Sequence, residues 1–313
     1  MTATNNGYAT LVMLAAAVPA LAQPRNQSAV PAIQFGRDIV PVLTKAGCNS
    51  GGCHGSFQGR GGLRLSLLGF DPEMDFDALV RESHGRRIFP AHPESSLFLQ
   101  KPTGAMPHKG GKRLTPGTES YRILRDWIAQ GYPGPKKGDP KILKLEVQPA
   151  EAILQPKQQL ALRVQAIWSD GVKQDATPWA LYESTSDRVA EVSAEGLVKA
   201  SQPGRAAVTV RYLGQVFAVT VTVPYRGKDQ LPLIAKSNFI DEHIATEWRK
   251  LKLIPASPAD DGAFLRRVSL DLTGSLPTVE EVRRFAESRD PARRTKLIDE
   301  LLDRPEYVDY WSL

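Results

Sequence analysis

The sequence predicts a multidomain chain: a small all-α domain, then a β-sandwich, then a second α-helical domain. Three observations predict it. Hydrophobic residues recur at helical spacing near residue 40 and again near 120, alternate in the runs 159–166, 208–212 and 219–223, and return to helical spacing from 238. Turn signals built on Gly, Pro and Asp stand about ten residues apart only in the middle stretch. The net charge of +6 is uneven: residues 25–138 hold 16 basic and 9 acidic side chains, residues 139–225 hold 9 and 9, and residues 226–313 hold 15 and 16. With 42% hydrophobic and 24% charged residues the chain supports several cores, which excludes general disorder.

The first 24 residues carry no charge, and their apolar run from Ala9 ends at Ala20-Leu21-Ala22. That small-x-small ending predicts a signal peptide over 1–22 and export to the periplasm, envelope or exterior, although the usual basic residues before the apolar run are missing. At about 14 residues the run is shorter than the roughly 20 that span a bilayer, and no later segment comes closer, so no membrane span is expected.

In the segment 23–138, Ile39, Val42 and Leu43 share one helical face that stops at Gly47. Tyr121, Leu124, Trp127 and Ile128 share another, stopped by Gly131 and Pro133. The two helices are expected to pack together. Between them stand the only cysteines, Cys48 and Cys53, in GCNSGGCHGSFQGRGG. Three readings are open. A disulfide suits an exported protein. Zinc is poorer, because Cys48, Cys53 and His54 leave a fourth ligand to be found among His84, His92 and His108. The third is one covalent c-type haem, with both thiols bonded to its vinyl groups and His54 as proximal ligand. Four residues separate the thiols instead of the usual two, and positive φ at Gly51 and Gly52 is expected to absorb the difference. Glycines 55, 59, 61 and 62 would let the backbone pass close to a flat cofactor.

The string Gly104-Ala105-Met106-Pro107-His108-Lys109-Gly110-Gly111 supplies two candidate distal ligands, Met106 and His108. Pro107 favours extended backbone at Met106, which sets the two about 6.5 Å apart, so only one can bond the iron. His84 and His92 read as exposed loop residues. A helix, an attachment motif at its end, a Met-Pro loop and a closing helix form the layout of a small class I cytochrome c. The excess charge lies in this segment alone and is scattered among Gly, Pro and apolar residues. That pattern predicts an acidic redox partner and no nucleic acid.

In the segment 139–225, residues 159–166 alternate apolar and polar, Ser169-Asp170-Gly171 forms a hairpin turn, and residues 208–212 and 219–223 alternate again. No cysteine pair staples the two sheets. The string SDRVAEVSAEGLVKASQPGRAAVTVRY resembles the bacterial Ig-like domain of group 2. The resemblance implies a spacer or adhesive module, with cell-surface or polysaccharide contact as its partner class. Asp170, Asp175, Glu183 and Asp187 read as solvated turn residues.

In the segment 226–313, four helical stripes follow one another. The first is Phe239, Ile240, Ile244, Trp248 and Leu251; the second Phe264, Leu265, Val268 and Leu272. Val279, Val282 and Phe285 form the third, started by Pro277-Thr278 with Glu280 and Glu281 in its first turn. Leu297, Ile298, Leu301 and Leu302 form the fourth. His243 reads as an edge residue, Trp248 and Trp311 as core anchors. The strings RRVSLDLTGSLPTVEEVRRF and KLIDELLDRPEYVDYW resemble the opening of the DUF1549 (PSCyt2) domain of planctomycete-type secreted proteins. Members of that family commonly carry upstream a cytochrome-c-like PSCyt1 region with CNSGACHG and an Ig-like domain between. CNSGGCHG and the following GRRIFPAHPESSLFLQKPTGAMPHKGGKR match the PSCyt1 region, four-residue spacing included. The resemblance implies haem c and a sequence that is a piece of a longer protein.

The sequence thus points to an exported c-type cytochrome-like protein that carries one covalent haem for one-electron transfer, with an Ig-like spacer and no catalytic residues of its own. Two alternatives stay open: an envelope adhesion or scaffold protein with a Cys48-Cys53 disulfide, and a haem peroxidase or oxidase with an open distal position.

Overall fold

The computed structural model of the protein describes residues 1–2, 32–227 and 238–312; the signal-peptide expectation falls outside them, since residues 3–31 are not described. Among the described residues no helix is long and apolar enough to cross a membrane.

Four helices come first: α1 (Val40–Lys45), continuing a π-type turn at Phe35–Ile39, α2 (Pro72–Val80), α3 (Leu97–Thr103) and α4 (Glu119–Ala129). Ten strands follow: β1 (Ile142–Gln148), β2 (Glu151–Ile153), β3 (Gln159–Ala161), β4 (Arg163–Trp168), β5 (Lys173–Asp175), β6 (Leu181–Ser184), β7 (Ala190–Val192), β8 (Leu197–Ala200), β9 (Gly204–Tyr212) and β10 (Gln215–Val223). Five helices close the chain: α5 (Phe239–Leu251), α6 (Asp261–Thr273), α7 (Val279–Glu287), α8 (Arg293–Leu302) and α9 (Pro305–Trp311). The chain divides into two compact units, residues 1–152, 159–199 and 206–220 in one, residues 153–158, 200–205 and 221–313 in the other.

In the first unit the N-terminal helices pack around Trp127. Its ring meets Phe35 at 5.5 Å, Phe98 at 6.0 Å, Tyr132 at 6.4 Å and Phe76 at 6.5 Å between centroids. Ile39, Val42, Leu43, Leu124 and Ile128 are all buried with it, so the two stripes read from the sequence do face each other's core. The indole N–H donates to the Pro133 carbonyl at 3.0 Å, which satisfies the one polar group of this core ring. Asp71 caps α2 by accepting the Met74 N–H.

The strands form sheets in the orders β1-β4-β5, β2-β10-β9-β6 and β3-β8-β7. Val164, Ala166 and Trp168 alternate into the core from β4, as Val208 and Val210 do from β9. Gly171, at φ +81°, lets β4 turn directly into β5. Within this unit α1 and the π-type turn before it are tied to the strand region by two cations. Lys45 donates to the carbonyls of Ala180 (2.6 Å) and Ala194 (2.5 Å) and lies over the Tyr182 ring. Arg37 lies over Trp168, with Asp170 and Gln174 as acceptors.

In the second unit Leu265, Phe285, Leu297 and Leu301 form the buried centre, and Phe264 stacks on Phe285. Thr278 starts α7 with a full capping box to Glu281, where the sequence places that start. The stripe of Phe239, Ile240 and Ile244 does lie on a helix, α5, where all three are exposed and Ala245 is buried. One expectation needs correction. Trp311, read as a core anchor, is 64% exposed and keeps its indole N–H on the Asp271 carbonyl. A helical stripe marks an apolar face but not what covers it.

Candidate thiol and imidazole site

Helix α1 ends where Gly47 takes φ +74°, a conformation that turns the chain back at once. Cys48 then donates its N–H to Leu43, and its side chain packs against the helical core. The next residues close on themselves: Cys53 N–H to Ser50, His54 N–H to Cys48 and Gly55 N–H to Ser50, all between 2.9 and 3.0 Å. A Cβ on Gly55 would lie 2.0 Å from the Asn49 carbonyl oxygen, so only glycine fits there. The expectation for Gly51 and Gly52 is not met. They stand exposed with ordinary φ, and the left-handed positions are Gly47, Gly59, Gly61 and Gly62. The hydrogen-bonded turns absorb the two extra residues as an exposed apex, without special backbone at that point.

Both cysteines are free thiols. Burial, with Cys53 nearby, pushes the Cys48 thiol up to about 11, while the Arg113 guanidinium acts against that rise. Arg113 reaches from the second loop: its Nη2 is 4.0 Å from Cys53 Sγ and its Nε donates to the Gly110 carbonyl.

His54 Nδ1 lies 3.1 Å from the carbonyl oxygens of both Arg60 and Leu63. Two acceptors on one ring nitrogen place the proton there and leave Nε2 with its lone pair. Burial also lowers the His54 pKa, which keeps the ring neutral near pH 7. His108 repeats the arrangement, with Nδ1 2.8 Å from the Gly111 carbonyl. The two rings are 6.3 Å apart between centroids and 16° from parallel. Met106, the other candidate, is exposed, with its N–H on the Gln100 carbonyl. His84 and His92 are exposed, as expected. Among the described residues no group of three or more His, Cys, Asp or Glu is placed to hold a metal ion.

The loops that meet here, residues 48–70 and 101–118, carry Arg60, Arg64, Lys101, Lys109, Lys112 and Arg113 and no carboxylate. Phe57 (86% exposed), Phe70 (73%) and Leu67 present apolar surface beside them, and a pocket of about 250 Å³ opens among Phe57, Leu65, Ser66, Leu67, Phe70 and Met74.

The alternating strands, the Gly171 turn and the unstapled apolar core make the middle of the chain comparable with known domains. Residues 144–223 match the bacterial Ig-like domain (group 2). The Ig-like domain accounts for about a quarter of the chain, and residues 239–313 match a second family, described as a protein of unknown function (DUF1549), PSCyt2. Among solved structures, an intimin mutant from EHEC O157:H7 is 14% identical over 55% of this chain and 75% of its own, with a TM-score of 0.21. No curated protein matches. Within the Ig-like domain, Asp170 pairs with Arg37 and Asp175 accepts the Thr177 N–H.

The sequence reading missed Arg87 and Arg113. Each is half of an adjacent basic pair, Arg86-Arg87 and Lys112-Arg113, without periodic spacing, and only the folded loops bring them to the thiols and imidazoles.

Proposed function

We propose that the protein is an exported one-electron carrier in which Cys48 and Cys53 would hold a single c-type haem and His54 and His108 would bind its iron. The His54–His108 pair carries this reading. The two rings stand near-parallel with centroids 6.3 Å apart, close enough that both imidazoles could hold one metal ion. Each ring also has Nδ1 committed to backbone carbonyls, the outer-shell contact that fixes a ligating tautomer. The haem, when bound, supplies a one-electron iron couple whose potential two imidazoles hold below that of a thioether-ligated one.

The chain's own residues do the rest. The thiols tether, the carbonyls of Arg60, Leu63 and Gly111 orient, and the apolar Phe57, Leu67 and Phe70 would shield the flat cofactor from water. Six cations on the two loops favour an acidic redox partner, steered by long-range attraction. The peroxidase reading needs an open distal position, and a second oriented imidazole disfavours it. The Ig-like match favours a second reading, a scaffold at the cell surface whose two cysteines carry no haem.

The test is an absorption spectrum of the full chain made in a host that matures c-type cytochromes. A low-spin Soret band that survives acid-acetone extraction is expected. An extractable chromophore, or none, would contradict the proposal.

A further inference from the structure

We infer that Arg87 is the positioning residue of His54: it anchors the glycine turn whose carbonyls decide which imidazole nitrogen faces a ligand. The inference deepens the reading above, since it concerns the same imidazole.

Residues Arg60-Gly61-Gly62-Leu63 form a tight reversal. Arg60 donates to the Leu63 carbonyl (2.9 Å), Leu63 donates back (3.1 Å), and Gly61 and Gly62 take φ of +60° and +72°. Positive φ at both central residues is the two-residue hairpin geometry that a Gly-Gly pair adopts most readily. Such a pair also has the most conformational freedom to lose, so by itself it is a soft platform. Yet its two end carbonyls are the ones that receive the His54 Nδ1 proton.

Arg87 supplies the missing rigidity. It is a cation only 7% exposed, and its four hydrogen-bond acceptors are all neutral oxygens. One arm of the guanidinium holds the carbonyls of Ala78 (2.7 Å) and Glu82 (3.1 Å) at the end of α2. The other holds the Gly62 carbonyl (2.5 Å) and Ser83 Oγ (3.1 Å). The fork thus clamps the centre of the glycine turn to a helix end, and its planar geometry makes that a two-sided constraint a lysine cannot copy. The Arg87 carbonyl in turn accepts the Phe98 N–H (3.0 Å) at the start of α3, the helix that leads into the His108 loop. A buried cation whose hydrogen-bond acceptors are all neutral is costly, which argues that its job is to hold these carbonyls in place.

The test reads the tautomer of His54 directly. In full-length haem-free protein labelled with ¹⁵N-histidine, imidazole nitrogen shifts at pH 8 should show His54 as the Nδ1–H form almost exclusively. In Arg87→Gln the Nδ1–H fraction should fall to a minority, toward the free-imidazole preference for Nε2–H, while the circular dichroism spectrum is kept. Should Arg87→Gln lose its fold, Arg87→Lys is measured instead and should give a mixture of the two forms. A folded variant with the wild-type tautomer fraction, or a wild type without the Nδ1–H form, overturns the inference. Haem content plays no part in this measurement, so failure of the haem reading and failure of this one are separable.

Discussion

Gly110 lies against the His108 ring so closely that a Cβ there would stand 2.8 Å from Cε1 and 3.1 Å from Nε2. The ring must swing to admit a methyl group. In the haem-loaded protein Gly110→Ala should therefore lose much of its low-spin character, because the displaced imidazole no longer meets the iron. Electron paramagnetic resonance of the ferric form reads this. A spectrum identical to wild type would show that His108 is not the ligand, whereas Met106→Ala should leave the low-spin spectrum intact.

The two thiols should react unequally before any haem is attached. At pH 8 a thiol with a pKa of about 11 is about one part in a thousand thiolate, and the thiolate is the nucleophile. Mass spectrometry of protein briefly treated with iodoacetamide should find label on Cys53 well before Cys48. Arg113→Ala should slow Cys48 further, since it removes the charge that favours its thiolate. Equal labelling would mean that Cys48 is not buried as described.

Asp75 is fully buried and accepts from Ser66 N and Oγ, yet burial outweighs those bonds and raises its pKa. With the folded pKa above the unfolded one, its contribution favours folding below the ordinary carboxylate value of about 4 and is lost as pH rises through the folded pKa. Asp75→Asn, which has no such charge, should therefore gain on wild type between pH 3.5 and pH 7 in urea midpoint. A variant that loses ground over that range contradicts the assignment.

Much of this was legible in the residues. Trp127 and Ile39 announce buried helical faces, Thr278 and Glu281 announce a helix start, and Gly171 a hairpin, because each depends on neighbours a few positions away. Arg87 was not legible, since its partners at Gly62, Ala78 and Ser83 meet only after folding. Phe239 and Ile240 announce a helix but not its exposed face, since their spacing is helical whether or not anything covers them. Gly51 and Gly52 looked like the flexible points of the loop, yet Gly55 is the one the fold cannot replace.

Lys45 supplies an independent check on the first unit. Its ammonium satisfies two carbonyls, so Lys45→Met should cost about 1–3 kcal/mol and lower the melting temperature of the full chain by several degrees. An unchanged melt would show that the helices and strands of this unit do not depend on each other through Lys45.

Haem staining of a denaturing gel tests the central claim most directly. Full-length protein matured in a cytochrome-c-competent host should stain, and the Cys48→Ala/Cys53→Ala double variant should not, because the two thioethers are the only covalent tether this chain can offer. A wild-type band without stain, or a double variant that keeps it, would contradict the account.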